Sequence, residues 1–307
     1  MSSAVVFAYH NVGYRCLSVL LARGVDVPLV VTHEDRPGET IWFDSVAELA
    51  KNHGIPVIAP ADANAADVVE RVRAAKPDFL FSFYFRQMLK PALLAAAPRG
   101  AYNMHGSLLP KYRGRVPVNW AVIKGETSTG ATLHTMVDKP DAGLIAGLMA
   151  VPILPDDTAQ EVFGKVTVAA ELVLDGCLPA LLAGTAQLVP QDFNKASYFG
   201  GRKPEDGKIN WHQDARAIHN LVRGVAPPYP GAFAVLDGKP LRVLRTLVEP
   251  ARQHRSAGAG LYADNGGLFA DCGEGTVLHI LTCELGGEAL DGRRFVELHG
   301  DRKVALS

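Results

Sequence analysis

The first 105 residues alternate between short apolar runs and stretches of helical spacing, and few folds accept that alternation. The runs at 4–8, 27–31, 56–58, 79–83 and 101–105 are too short for buried helices and end at turn formers, so they read as strands. Between them, Tyr14, Leu17, Leu20 and Leu21 share one helix face before Gly24. Residues 46–53 form a second helical stretch closed by Gly54, and 65–75 a third stopped at Lys76-Pro77. Residues 91–97 form a short fourth, with Pro91 in its first turn. Strands joined by crossover helices run parallel. The expected class is therefore α/β, a Rossmann-like, doubly wound, mostly parallel sheet covered on both faces. Ligands of such sheets bind beyond the carboxyl ends of the strands.

Two common uses of that architecture lack their sequence marks. The first strand-to-helix turn, Tyr9-His-Asn-Val-Gly-Tyr14, has a single glycine and no GxGxxG, which argues against a dinucleotide enzyme. No GxxxxGK[ST] loop occurs, which argues against nucleotide hydrolysis.

Further along, 117–124 reads as a helix ended by Gly125, and 130–136 and 144–151 as strands flanking a turn-rich 137–143. Residues 158–183 form the longest helical stretch, with Asp156, Asp157 or Thr158 as its cap and Gly184 after it. The regular pattern lapses after 185, and 197–207 has linker composition. Beyond lie a helix at 215–225 and short strands at 232–236, 241–247, 267–270, 277–281 and 295–298, a pattern that suits a small barrel. The expected division is a large domain over 1–190, a linker over 191–209 and a smaller OB-like β-barrel domain over 210–307.

Composition narrows the partners. A net charge of -1 gives no global attraction to nucleic acid. Cys16, Cys177, Cys272 and Cys283 form no CxxC and no zinc spacing, so no metal is expected and the thiols read as reduced. No secretory leader is evident, and no apolar run is read as reaching the ~20 residues that span a bilayer. The expectation is a cytoplasmic protein without membrane insertion. Oligomeric state is not legible.

The chemistry concentrates where the fifth strand ends. Asn103 and His105 are two residues apart and share a strand face at the expected ligand edge. Asp141, in the turn between two later strands, supplies a carboxylate. A carboxylate near an imidazole fixes its tautomer, and an amide beside it donates to an oxygen gaining charge, which suits acyl transfer through a tetrahedral intermediate. Rival readings are a Ser107/His105/Asp141 hydrolase without a GxSxG elbow, a metal site from His105, His134 and Asp141 without HxxxH support, and a merely structural His105.

Asn103-Met-His105-Gly-Ser-Leu-Leu-Pro110-x-x-Arg-Gly, then Gly130-Ala-Thr-Leu-His-x-Met, then Asp141-Ala-Gly143, resembles the 10-formyltetrahydrofolate-dependent formyltransferases. Thr32-His-Glu-Asp-Arg-Pro-Gly-Glu39, Phe81-Ser-Phe-Tyr84, Lys111-Tyr-Arg-Gly-Arg115, Asn119-Trp120 and Pro230-Gly-Ala-Phe233 bring the resemblance closest to the formyltransferase part of the bifunctional polymyxin-resistance proteins. That part formylates UDP-4-amino-4-deoxy-L-arabinose, a lipid A modification step. The decarboxylase half of those proteins is not matched within this sequence, which stops at Ser307.

The resemblance implies His105 as proton donor, Asn103 as oxyanion stabiliser and Asp141 as the acid that raises the histidine pKa. It implies that Gln87, Met88, Leu89, Arg115, Val137, Asp138, Lys139 and Pro140 hold 10-formyltetrahydrofolate, largely through backbone groups. The implied partner is a UDP-amino sugar. Methionyl-tRNA is the same-fold alternative: against it, the segment 31–46 carries Glu34, Asp35, Glu39 and Asp44 against Arg36 alone, a charge that repels phosphates. A non-catalytic folate-binding module is the other alternative, and it has no use for a coupled histidine.

Overall fold

Every apolar run in the first third of the chain forms a strand, and the helical stretches between them return it to the same sheet. The computed structural model describes residues 2–306 apart from 36, 37 and 39. Its elements begin with β1 (Ser3–Ala8), α1 (His10–Ala22), β2 (Asp26–Val31), α2 (Val46–Asn52), β3 (Val57–Ile58), α3 (Ala66–Ala74), β4 (Phe79–Phe83), α4 (Pro91–Leu94) and β5 (Ala101–His105). There follow β6 (Arg113–Gly114), α5 (Pro117–Ile123), β7 (Ser128–Thr135), β8 (Ile145–Pro152), α6 (Ala159–Ala183) and β9 (Tyr198–Phe199). The remainder is α7 (Ala215–Val225), β10 (Ala232–Leu236), β11 (Lys239–Val248), β12 (Gly260–Asp264), β13 (Gly267–Asp271), β14 (Val277–Leu285), β15 (Glu288–Ala289), α8 (Gly292–His299) and β16 (Val304–Ala305).

The first sheet runs β3-β2-β1-β4-β5-β7-β8. Its first five strands are parallel, and β7 enters antiparallel to β5, with Asn103 opposite His134 and His105 opposite Thr132. Strand order reverses between β1 and β4, the place where such sheets open a crevice. One face is sealed by α3 and α4, whose Val69, Val72 and Leu93 pack on Val5, Phe7, Leu29 and Leu80. Each such side chain contributes roughly 1.5–3 kcal/mol on full burial. On β1, α1 packs closely because Gly13 lacks a Cβ, which would lie 3.1 Å from the Ala8 Cβ. The lone glycine of the first turn thus serves packing. Helix α6 lies beside α1, joined by the ion pairs Arg15–Glu171 and Arg23–Asp175.

Thr158 and Glu161 close a reciprocal cap on α6: Thr158 Oγ1 accepts from Glu161 N at 3.3 Å and Glu161 Oε2 from Thr158 N at 2.7 Å. By length and composition this 25-residue helix, with a mean hydropathy of 1.8 over its most apolar window, is long and apolar enough to cross a membrane. The sequence reading found no such stretch. Its Val162, Val166, Ala170, Leu174 and Leu178 are buried, and scattered charges divide the run.

The second sheet is an antiparallel half-barrel, β10-β11-β14-β13-β12-β16, with β15 added to β14. Trp211, Ile218, Val222, Leu241, Leu261, Leu278 and Phe295 form its core. Residues 295–298, expected as a strand, belong to helix α8. Asp291 caps it by accepting from Arg294 N at 2.7 Å, and Phe295 alone of the run is buried while Val296 and Leu298 are exposed.

The chain forms two compact units, one of Met1–Pro117, Ser128–Val151 and Phe163–Gly200, the other of Val118–Thr127, Pro152–Val162 and Gly201–Ser307. Within the second, Asn119 Nδ2 donates to Gly224 O at 2.9 Å and Arg223 Nη1 to Asp157 O at 2.9 Å, so α7 holds both short inserts. Residues 191–209 contain two 3-10 turns and β9.

Candidate active site

The register of β5 against β7 sets three polar side chains on one face. Asn103 Nδ2 lies 3.1 Å from His134 Nε2, across the strand pair. His134 Nδ1 lies 2.8 Å from the Thr135 carbonyl, which can only accept, so Nδ1 carries a hydrogen and, when the ring is uncharged, Nε2 accepts from the amide. One of the two Asn103 amide hydrogens serves this contact.

After β5 the chain turns sharply. A Cβ at Gly106 would meet the Tyr84 hydroxyl, so a larger residue beside His105 would have to displace that ring. Ser107 Oγ donates to Lys111 O at 2.7 Å, and Thr132 Oγ1 donates to Ser107 O at 2.7 Å and accepts from Leu109 N at 3.2 Å. The Ser107 hydroxyl thus faces the carbonyls of its own loop, which counts against the hydrolase reading. The loop then delivers the Tyr112 carbonyl to His105 Nε2 at 2.7 Å, fixing a hydrogen on Nε2. His105 is buried, 6% exposed.

Asp141 completes the group from the β7–β8 turn. Its Oδ1 is 3.6 Å from His105 Nδ1 and 3.4 Å from His134 Nε2, and its Oδ2 accepts from Gly114 N at 2.8 Å. Burial pushes its pKa up, but the charge of His105, the hydrogen bond and charge of His134 and the Gly114 N–H outweigh burial, holding the carboxyl well below the ordinary carboxylate range. The turn itself is strained, with Asp141 at φ +51°. Gly143 follows, where a Cβ would collide with the Thr135 carbonyl. Gln191 Nε2 donates to the carbonyls of Asp141 at 2.9 Å and Gly143 at 2.7 Å, and Gln191 Oε1 accepts from Arg113 Nη2 at 2.6 Å.

Asn103, His105 and Asp141 therefore meet in one place. His134 joins them, its Nε2 lying 3.1 Å from the Asn103 amide nitrogen and 3.4 Å from Asp141 Oδ1. In the sequence His134 reads as a strand-face histidine or a metal candidate; its place opposite Asn103 comes from the strand register. Among the described residues no group of three or more His, Cys, Asp or Glu is arranged to hold a metal.

The expected cofactor residues occupy two segments and a loop cation. Gln87 is turned inward, its Oε1 accepting from Ala63 N at 2.8 Å and its Nε2 donating to Ala61 O at 3.0 Å. The Met88 side chain is exposed while its carbonyl accepts from Asn64 Nδ2 at 2.9 Å. Leu89 is buried in the core cluster of the sheet, and Met136 packs against that same cluster. Val137, Asp138 and Lys139 are exposed and Pro140 is partly so. Arg115 is exposed, and its backbone N–H donates to Phe199 O at 2.9 Å. A cleft of about 260 Å3 lined by His33, Glu34, Ala59, Pro60, Ala61, Arg86 and Gln87 opens beside the first segment. Arg36 and Glu39, part of the charge argument against tRNA, lie outside the described residues. Chemically, a buried histidine with a fixed Nε2 hydrogen, a carboxylate on its other nitrogen and an amide donor alongside can stabilise a tetrahedral oxyanion and move protons.

The formyl transferase family model matches residues 16–174, and the model of the formyl transferase C-terminal domain matches 202–300. Among solved structures, an N-formyltransferase from Helicobacter canadensis in complex with folinic acid and dTDP-3-aminofucose superposes with a TM-score of 0.73 at 20% identity, over 91% of this chain and 99% of that one. WlaRD, a sugar 3N-formyltransferase in the presence of dTDP and 5-N-formyl-THF, gives 0.71 at 17%, over 91% and 97%. A methionyl-tRNA formyltransferase from Clostridium thermocellum gives 0.57 at 16%, over 82% and 95%. At these identities the likeness is one of fold.

Proposed function

This chain belongs to the formyl transferase family, and from that premise we propose that it transfers the formyl group of 10-formyltetrahydrofolate to the 4-amine of UDP-4-amino-4-deoxy-L-arabinose. The observation that carries the chemistry is the convergence of Asn103 and His105 with an Asp141 carboxylate 3.6 Å from the imidazole. The neutral amine attacks the formyl carbon, and its electron pair forms the new C–N bond. The carbonyl oxygen becomes an oxyanion that Asn103 and His105 stabilise. The amine gives up a proton, N10 of the folate gains one, and the C–N10 bond breaks to release tetrahydrofolate and the formamide. His105 passes the proton, with Asp141 supporting its charged form.

The assignment of the pteridine donor to segments 87–89 and 137–140 rests on the motif resemblance, and the exposed apolar side chains of Met88 and Val137 there are in keeping with it. Arg115, exposed on the loop after β6, is assigned to the same cofactor by the motif resemblance. The nucleotide-amino-sugar class is supported by the relatives solved with dTDP-3-aminofucose in one case and with dTDP in the other, and the UDP-linked pentose by the motif resemblance. The reaction would serve lipid A modification and polymyxin resistance in the cytoplasm, a setting in keeping with four free cysteines.

An acceptor panel tests the reading. Purified protein with 10-formyltetrahydrofolate should formylate UDP-4-amino-4-deoxy-L-arabinose and leave initiator methionyl-tRNA untouched. Formylation of the tRNA alone sinks the sugar assignment, and folate binding without turnover on any amine sinks catalysis.

A further inference from the structure

Gln191 lies fifty residues from the aspartate it touches, at the start of the segment 191–209 expected as a linker. It is nevertheless 7% exposed, and Arg113, which holds it, is 4% exposed. Burying an amide and a guanidinium at a turn is costly unless both are used. A glutamine amide nitrogen has two hydrogens. Here both are spent on consecutive parts of one turn, the carbonyls of Asp141 and Gly143. The amide oxygen is spent on Arg113 Nη2. Arg113 is itself fixed from behind, its backbone N–H donating to Ser197 O at 2.9 Å and its guanidinium lying 4.6 Å over the Phe193 ring.

The same two-residue strand therefore reaches Asp141 twice. Gly114 N–H holds the carboxylate, and Arg113, through Gln191, holds the main chain that carries it. That main chain needs holding, because Asp141 adopts φ +51°, a conformation L residues avoid. Released, the residue can relax toward negative φ, and its carboxylate would swing from its place between His105 and His134.

We propose that Gln191, clamped by Arg113, is a positioning residue for formyl transfer: it locks the left-handed turn at 141–143 so that the Asp141 carboxylate faces His105. It touches no reacting atom and acts through Asp141. The inference rests on Asp141 serving the reaction proposed above. Its measurements are therefore ratios to the wild-type enzyme with whichever amine acceptor the wild type formylates, so a mistaken acceptor leaves them readable.

The test is a double-mutant cycle on tetrahydrofolate release. Gln191→Glu keeps size and shape but sets a carboxylate oxygen against two carbonyl oxygens while strengthening the link to Arg113. Gln191→Met keeps volume and removes the hydrogen bonds. Both should lower kcat by 10-fold or more, with KM for 10-formyltetrahydrofolate within about 3-fold of wild type. In an Asp141→Asn background, Gln191→Met should lower kcat by no more than a further 2-fold, because the group it positions is already lost. The inference is overturned if Gln191→Glu and Gln191→Met both keep kcat within 2-fold of wild type. It is equally overturned if the Gln191→Met and Asp141→Asn losses multiply. Thermal unfolding of each variant separates the outcomes: a loss of kcat that merely tracks a loss of folded protein at the assay temperature also counts against it.

Discussion

At the residue scale the site depends on who donates to whom. Asn103 gives one amide hydrogen to His134 and keeps its plane fixed in doing so, which makes it a preorganised donor. Replacing it with alanine should lower kcat by roughly 10²–10³, the usual loss for one oxyanion donor, with donor KM little changed; steady-state kinetics of tetrahydrofolate release will show it. Asp141 allows a signed pH prediction. Its carboxyl is held below the ordinary value of 3.8, so its folded-state interactions are complete above that value and are lost as pH falls below it. Asp141→Asn should lower urea stability at neutral pH and flatten the acid-side fall in stability below about pH 4; urea midpoints across that range decide the matter. The trio Asn103, His105 and Asp141 was legible because strand alternation and a turn-bound carboxylate are sequence patterns. His134 was not assigned a part, since its partner is across a strand pair and register is not written in either strand alone. Gln191 was invisible for a stronger reason: nothing local separates a buried amide from a linker one.

At the scale of elements, the first five strands and the long helices were legible because each carries its own period or its own stop signal. What failed carries neither. Strands β6 and β9 are two residues each and pair with each other across eighty-odd residues, Arg113 with Tyr198 and Gly114 with Phe199, so no run betrays them. Strand β12 hides in Gly260-Leu-Tyr-Ala-Asp264 behind a small-residue lead-in. Helix α8 replaces the strand expected at 295–298: the Asp291 cap starts it, and the exposed i,i+4 pair Arg293–Glu297 adds a little. Thr158→Ala should cost about 1 kcal/mol by breaking the α6 capping box, measurable as a lower urea midpoint with unchanged slope. Gly143→Ala is the severe case at this scale. The added methyl meets the Thr135 carbonyl at the mouth of the β7–β8 turn, so the variant should either lose most activity while folded or fail to fold. Circular dichroism and turnover together report which.

For the whole molecule, the division into units is not a division of the sequence. The second unit draws on Val118–Thr127 and Pro152–Val162 as well as Gly201–Ser307, and α7 grips both inserts through Asn119, Leu154 and Asp157. A fragment of residues 201–307 alone should therefore lack a cooperative thermal transition, because Arg223 and the Gly224 carbonyl lose buried partners; calorimetry of the fragment against the full chain tests this. The same fact bears on inheritance. A gene that acquires a new tail by crossover near codon 200 receives a half-barrel without the two pieces of scaffold that it closes around, encoded far upstream. Such chimaeras begin life mismatched at α7, so a stable descendant also needs matching changes in 118–127 and 152–162.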